Sequence, residues 1–206
     1  MKLPGEVRSY QITGTAPLMG TQPADQSLLT RSLARRDAEL SGRDKKALAS
    51  GVTMTTVFTR SDANGDCLVL MDYMLRGFFK SALTALSPEL GILAVKTKVD
   101  RYLFVAPREI PILRCGAQLY EEDDEYQRPV RVDGPYGQTV TLQSAERVYT
   151  PWELRFTLRL LQNDRTSRSN PLSWNAVESA LDYGALSGIG KFRNGPFGTF
   201  EWRRLE

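Results

Sequence analysis

Residues 153–161 constrain the fold most, because apolar and polar side chains alternate along them. Every second side chain is apolar and falls on one face of an extended strand: Leu154, Phe156, Leu158 and Leu160. The polar positions fall on the other face: Arg155, Thr157 and Arg159. A period of two is typical of a strand that packs one face on a core. The sequence therefore predicts a sheet whose second face is open and basic.

Other segments predict further strands. Residues 6–13 place Val7, Ser9 and Gln11 on one face and Arg8, Tyr10 and Ile12 on the other, which fits either an edge strand or a two-sided one. Pro17 ends this segment because it cannot donate to a ladder. Residues 52–60 and 67–71 flank Asn64 and Gly65, the usual turn of a hairpin. Strands are also predicted at residues 99–105, 110–113, 138–148 and 199–204.

Two helices are predicted by apolar residues at helical spacing. The first begins at Asp72, which can cap it, and carries an apolar stripe to Leu86. The second begins with Asn170 as its cap and Pro171 at its first position, and Trp174 is the first residue of its apolar stripe. The acidic run at residues 121–125 predicts an exposed loop rather than a Mg²⁺ site, because neighbouring carboxylates on a loop seldom converge.

The order of these elements predicts the fold class. Strand, insertion, helix, strands, helix, glycine-rich loop and strand give an α+β chain with the βαββαβ order of an elaborated ferredoxin-like fold. We expect an antiparallel sheet, a basic segment inserted at residues 21–50 and an extra hairpin. With 206 residues and 41% apolar composition, the chain suffices for one core, so residues 1–206 are predicted to form a single domain.

Composition removes several classes of function. The chain contains no histidine, which excludes Ser-His and Cys-His nucleophiles and histidine-ligated zinc. Cys67 and Cys115 form no CxxC pair, so neither a zinc site nor a disulfide is expected. We therefore predict no cofactor, no metal and no enzymatic activity. A ribonuclease that uses Tyr, Ser or Lys remains open.

The absence of a long apolar run and of a leader-like N-terminus predicts a cytoplasmic protein.

A glycine-rich segment at residues 184–198 combines three features that suit a nucleic acid. Its glycines let backbone amides approach a phosphate: Gly188, Gly190, Gly195 and Gly198. Lys191 and Arg193 supply positive charge, and Phe192 and Phe197 supply rings on which bases stack. The alternative is that the glycines only permit a tight turn while the phenylalanines, Phe200 included, fill the core.

The same segment resembles a known family. A GxG…RxGxxGxF loop between a late helix and a last strand, in a chain that begins with a strand and TGxxPL, is similar to the RAMP superfamily of ferredoxin-like CRISPR effector subunits. The ending also resembles that of phage and prophage proteins. The matching residues are Phe192, Arg193, Phe197, Gly198 and Phe200, and the likeness covers mainly residues 7–20 and 171–202.

The resemblance implies binding of RNA or single-stranded DNA. It assigns six residues to the loop near the nucleic acid: Gly188, Gly190, Lys191, Arg193, Gly195 and Gly198. The histidine of many RAMP nucleases has no counterpart here, which favours a binding subunit over a nuclease.

The residues and the resemblance together leave two main hypotheses. In the first, the chain is a RAMP-like module within an assembly of several subunits or copies, away from membranes. Phosphates of single-stranded RNA or DNA are then neutralised by Arg155, Arg159, Lys191 and Arg193, and bases stack on Phe192 or Phe197. In the second, the chain is a phage-encoded inhibitor or interaction protein that docks through its acidic run and basic insertion, without binding nucleic acid.

Overall fold

Strands and helices alternate along the described part of the chain. The computed structural model describes residues 5–23, 54–61, 65–134, 137–161, 170–193, 195 and 197–206, with the backbone alone at 54–55 and 130–141. The elements are β1 (Glu6–Gly14), β2 (Leu18–Met19), β3 (Gln22–Pro23), β4 (Met54–Val57), β5 (Thr59–Ser61), β6 (Cys67–Met71), α1 (Asp72–Leu90), α2 (Val95–Tyr102), β7 (Leu103–Ala106), β8 (Glu109–Pro111), β9 (Leu113–Arg114), β10 (Ala117–Gln118), β11 (Asp124–Gly134), β12 (Gly137–Val148), β13 (Glu153–Leu160), α3 (Trp174–Asp182) and β14 (Phe200–Leu205).

Four antiparallel strands form the main part of a six-stranded central sheet, in the order β14-β1-β13-β7. The two short strands β9 and β10 extend it beside β13. Taken with α1 and α3, they give the chain order β1-α1-β7-β13-α3-β14, which is the βαββαβ arrangement of a ferredoxin-like fold. Both helices pack on the same face, α1 against β7 and α3 against β14, and they also contact each other. The predicted α+β, ferredoxin-like class is confirmed.

The core lies between this sheet and the helices. The alternation in β13 is confirmed, since all four of its apolar side chains are buried: Leu154, Phe156, Leu158 and Leu160. Tyr10 and Ile12 of β1 are buried beside them. The Tyr10 hydroxyl donates to Glu178 of α3 at 2.9 Å, which ties the central strand to that helix.

Two smaller sheets elaborate the core. One of them contains the long hairpin of β11 and β12. Strand β12 of this hairpin pairs with β2 and, in parallel, with β4, and β3 pairs with β4. A three-stranded sheet is built from β5, β6 and β8. The pairing of β5 with β6 confirms the hairpin predicted around residues 64–65. Most of the basic insertion predicted at residues 21–50 lies outside the described residues.

The start of α3 differs from the prediction. Its cap is Ser173, whose hydroxyl accepts from the Ala176 amide at 3.3 Å. Asn170 instead contacts the C-terminal end of α1, where its side-chain amide donates to the Leu90 carbonyl at 2.8 Å. An Asn-Pro pair predicted the helix three residues early, because a tertiary contact takes up the side chain that would have capped it.

The first helix also begins and ends differently from the prediction. Met71 is the residue before its first turn, so Asp72 is the first helical residue and not the cap. The helix runs through Pro88 to Leu90. A proline leaves the carbonyl four residues earlier without its helical donor. Here that carbonyl, on Thr84, accepts from the Ser87 hydroxyl at 2.8 Å.

Residues 99–105 were predicted as a strand, and the first part of this prediction is wrong. Residues 95–102 form α2, with Val95 and Val99 buried one turn apart. The β-branched residues that favoured a strand here form the apolar face of a short helix, because they recur at a spacing of four.

The acidic run at residues 121–125 was predicted to be an exposed loop, but Asp123 and Asp124 form ion pairs with arginines of neighbouring strands. Asp123 accepts two hydrogen bonds from the Arg114 guanidinium, at 2.9 and 2.5 Å, and one from the Tyr149 amide at 2.6 Å. Asp124 opens β11 and accepts from Arg147 of β12 at 2.7 Å. These pairs hold the base of the long hairpin.

Several features of the described residues bear on the functional classes. Cys67 and Cys115 are free thiols. Nowhere in the described ranges do three or more potential metal ligands cluster. None of the described helices combines the length and apolar composition needed to cross a bilayer.

Two glycines at the end of the chain are required by close backbone packing. Gly198 has φ +69°, and a Cβ there would lie 1.9 Å from the Ile189 carbonyl oxygen. Gly188 faces it, and a Cβ on Gly188 would lie 2.2 Å from the Gly198 carbonyl carbon. The chain segments before and after the turn therefore touch through their backbones.

We expect Gly198→Ala to lower the free energy of unfolding by about 2 kcal/mol or more, because it combines a left-handed φ with a backbone clash. Urea unfolding followed by circular dichroism measures this. The matched control is Gly77→Ala within α1, where a Cβ meets nothing within 4 Å, and which is expected to add about 0.5–1 kcal/mol. Equal effects of the two substitutions would contradict the packing described.

We expect Asp123→Asn to lower the free energy of unfolding at neutral pH by about 1 kcal/mol. Arg114 lowers the pKa of Asp123, so the pair stabilises the fold above the ordinary Asp pKa of about 3.9. This contribution is lost as the pH falls through the lowered native pKa, so the two proteins should converge in strong acid. Urea unfolding over a pH series tests it. Glu121→Gln, an exposed residue of the same run, is the control and should show no such convergence.

Candidate nucleic-acid interface

The face of the central sheet opposite the helices presents its side chains in rows across the strands. The register of β1 with β13 and β14 aligns Gln11 with Arg155 and Arg203. The next row on this face contains Thr157, Ser9 and Leu205, and the row after it contains Phe104, Arg159 and Val7. The open basic face predicted from residues 153–161 is therefore assembled from four strands.

Gln11 is the centre of the first row. Its side-chain oxygen accepts from Arg155 Nε at 3.1 Å and from an Arg203 terminal nitrogen at 3.0 Å. Its amide nitrogen donates to Glu153 at 3.2 Å. The two arginines cover it, so that Gln11 is 5% exposed while both arginines are exposed. The three strands thus share one polar network on their open face.

An aromatic ring accompanies the cations at the other end of this face. Phe104 of β7 is 38% exposed and lies opposite Arg159 in the register. An accessible ring beside a guanidinium is the combination on which an unpaired base stacks while its phosphate is neutralised. The sequence did not single out Phe104, because the strand that brings Arg159 beside it lies 55 residues later along the chain.

An acidic row separates this face from the glycine-rich segment. Glu153 and Glu201 align with Thr13 at the end of the sheet where that segment joins β14. From the sequence, the arginines of β13 and the cations of the glycine-rich segment were predicted to form one binding surface. The structure places them in two groups with carboxylates between them.

The glycines of this segment approach the protein's own backbone. The Gly198 amide donates to the Pro17 carbonyl at 2.8 Å, and the Gly195 amide donates to the Phe192 carbonyl at 2.7 Å. Gly190 lies against the backbone of Met19 in β2. The amides of Gly195 and Gly198 are therefore committed to carbonyls, and the alternative of a tight, packed turn accounts for these glycines.

Lys191 is half-buried beside the second sheet. Its Nζ donates to the Thr56 hydroxyl at 3.3 Å. Burial lowers the pKa of Lys191, and the nearby positive charge of Arg128 lowers it further. None of the salt bridges between described residues involves Lys191 or Arg193. Arg193 is exposed.

The rings of the glycine-rich segment pack against the long hairpin. The Arg128 guanidinium lies 3.5 Å from the centre of the Phe192 ring, and Lys191 Nζ lies 5.4 Å from it. Phe197 contacts Tyr126 with ring centres 5.3 Å apart. One face of Phe192 is thus covered by a cation, which the sequence did not indicate because Arg128 lies more than 60 residues away along the chain.

The sequence identified part of the open face and missed its partners across the strands. Arg155 and Arg159 were predicted, whereas Arg203 was not, although it belongs to the terminal strand that was predicted. Gln11 was grouped with Val7 and Ser9, without a face of the sheet or a role. Strand order decides which residues share a row, and strand order does not follow from the alternation within each strand.

Comparison with known proteins gives structural likeness alone. Neither the protein-family models nor the curated proteins contain a match to this chain. A chain of a solved structure described as "Type IV-B CRISPR Complex" is similar, at 11% identity and a TM-score of 0.46, over 97% of this chain and 90% of that chain. A chain of the "Cryo-EM structure of the Type III-B Cmr-beta bound to cognate target RNA" is similar at 9% identity and a TM-score of 0.46, over 97% of this chain and 59% of that one.

Proposed function

We propose that this chain is a non-catalytic, RAMP-like module that binds single-stranded RNA or DNA within a nucleoprotein assembly. The observation that carries the proposal is the open face of the central sheet, where Arg155, Arg159 and Arg203 accompany the exposed ring of Phe104. The described helices lie on the opposite face, and Arg155, Arg203 and Phe104 are exposed on this one.

The chemistry of the face fits a single strand better than a duplex. Bases of a single strand are free to stack on an aromatic ring, while its phosphates are neutralised by arginines along the groove or sheet. The Cα atoms of Arg155 and Arg159 lie four residues apart on one strand, about 13 Å, which leaves room for more than one nucleotide between them. A sheet surface with rows of this kind tracks a backbone and does not enter a groove.

The glycine-rich segment supplies a second group of cations. Neither Lys191 nor Arg193 forms a salt bridge with a described residue. Arg193 is exposed, and Lys191 is half-buried beside Thr56. We propose that the segment contacts phosphates through these side chains, while its glycines shape the turn. Phe192 and Phe197, both partly exposed, are the stacking positions in this group.

The absence of histidine supports a binding role without catalysis, because the most frequent general base at neutral pH is missing. Incubation of the protein with labelled RNA, with and without Mg²⁺, distinguishes a binding module from a ribonuclease that uses other side chains. Cleavage under either condition would contradict this part of the proposal.

We expect a fluorescent single-stranded RNA or DNA to bind with an affinity that falls steeply with salt. Each phosphate contact with a single strand contributes about 0.7 to the slope of log affinity against log salt. Replacing four cations with alanine should therefore reduce that slope by up to about 3. The four are Arg155, Arg159, Lys191 and Arg193. Titration at several salt concentrations measures both affinity and slope.

The matched control removes four charges from the other side of the molecule: Lys80, Lys96, Arg101 and Arg204. Three of these lie on α1 and α2, and Arg204 lies on the helix-facing side of β14. An equal loss in both variants would indicate a general charge effect and overturn the proposed surface. Purified protein that carries no nucleic acid, binds neither probe and retains a discrete protein partner would favour an interaction protein instead.

A further inference from the structure

We propose that Arg155, Gln11 and Arg203 form a phosphate clamp on the open sheet face, in which Gln11 positions the two guanidinium groups. The inference rests on the proposed function and makes it specific: it names the atoms that hold one phosphodiester group. It adds Arg203 as a direct ligand of the phosphate and Gln11 as a positioning residue that does not itself touch it.

The geometry of the three side chains suits one phosphate. Because Arg155 Nε and the Arg203 nitrogen both lie about 3 Å from the same Gln11 oxygen, they are no more than about 6 Å apart. A phosphodiester has two unesterified oxygens, and each accepts from a guanidinium at about 2.8 Å. One phosphate can therefore bridge the two arginines while each keeps its hydrogen bond to Gln11.

The charges around the clamp leave it attractive to an anion. Two guanidinium groups meet at a neutral amide oxygen, whereas a carboxylate at this position would satisfy both. Glu153 compensates part of the charge, since it lies 3.5 Å from an Arg155 nitrogen and accepts from Gln11. Glu201 lies in the same row as Glu153, on the side nearer the glycine-rich segment.

This distribution of charge determines the path of the bound nucleic acid across the sheet. The acidic row repels phosphates on one side of the clamp, and the neutral row of Ser9 and Thr157 lies on the other side. Beyond that neutral row are Arg159 and Phe104. A strand held at the clamp therefore runs across the hydroxyl row toward Arg159, and away from the carboxylates.

Gln11 fixes the clamp because it is the only member that is buried. An exposed arginine samples many rotamers, and ordering it on binding costs free energy. A hydrogen bond from each guanidinium to one buried amide oxygen restricts that freedom before the phosphate arrives. Removal of Gln11 should leave the two charges in place and remove their alignment.

The experiment compares single variants by titration with a fluorescent single-stranded oligonucleotide at several salt concentrations. Arg203→Ala should weaken binding about tenfold and reduce the salt slope by about 0.7. Arg204→Ala is the matched control, because it removes the same charge from the adjacent residue, whose register partner is Tyr10 on the helix side. Its effect should stay within about twofold.

Two conservative variants separate positioning from charge. Arg203→Lys keeps the charge but loses the planar fork, so it should weaken binding with the salt slope unchanged. Gln11→Met keeps the volume and removes the acceptor, so it should also weaken binding severalfold at an unchanged slope. Gln11→Glu should weaken binding most among the Gln11 variants, since its carboxylate satisfies both arginines internally. Urea unfolding of each variant shows that the fold is retained.

The outcomes distinguish the two proposals. If the unaltered chain binds neither RNA nor DNA, the proposed function is wrong and the clamp falls with it. If it binds, and Arg203→Ala behaves like Arg204→Ala, the clamp is wrong and the proposed function stands. If Arg203→Ala weakens binding but Gln11→Met matches the unaltered chain, Arg203 is a ligand and the positioning role of Gln11 is overturned.

Discussion

The pairing of β1 with β13 is the interaction on which the rest of the structure depends. Eight consecutive residues of each strand are in register, and the buried side chains of both strands lie on the helix side: Tyr10 and Ile12 of β1, and the four apolar residues of β13. A shift of one residue would exchange the two faces of a strand and expose its core. The same register that buries Tyr10 and Phe156 therefore brings Gln11 beside Arg155.

The sequence predicted the parts of the fold that are encoded locally. The alternation at residues 153–161 corresponds to β13, the long apolar stripe after Asp72 corresponds to α1, and the predicted hairpin corresponds to the pairing of β5 with β6. The order of the predicted elements was sufficient for the fold class. The start of α3 was misplaced because Asn170 bonds to the end of α1, a residue 80 positions earlier. The hairpin base was missed because Asp123 and Asp124 of the acidic run meet Arg114 and Arg147 only after the chain has folded.

The residues of the candidate site likewise fall into those that local sequence indicates and those that only the fold brings together. Alternation within one β-strand is visible in the sequence, so Arg155 and Arg159 of β13 were predicted. Rows across the sheet depend on which strands are neighbours, so Arg203 and Phe104 became visible only in the fold. In the glycine-rich segment, composition suggested a cradle for an anion, whereas two of its glycines are needed to let two backbone segments touch. The sequence did identify the cations Lys191 and Arg193, but it did not indicate that Arg128 of the long hairpin lies close to Lys191 and Phe192.

The central strand lies between two partners that come late in the chain. β1 ends at residue 14, and its neighbours β13 and β14 begin at residues 153 and 200. At a synthesis rate of 5–20 residues per second, β1 waits on the order of ten seconds for its first partner to be made. Until then β1 has neither of its partner strands, and long-range pairing of this kind is slow and exposed to aggregation, which a chain whose first strands pair with each other avoids.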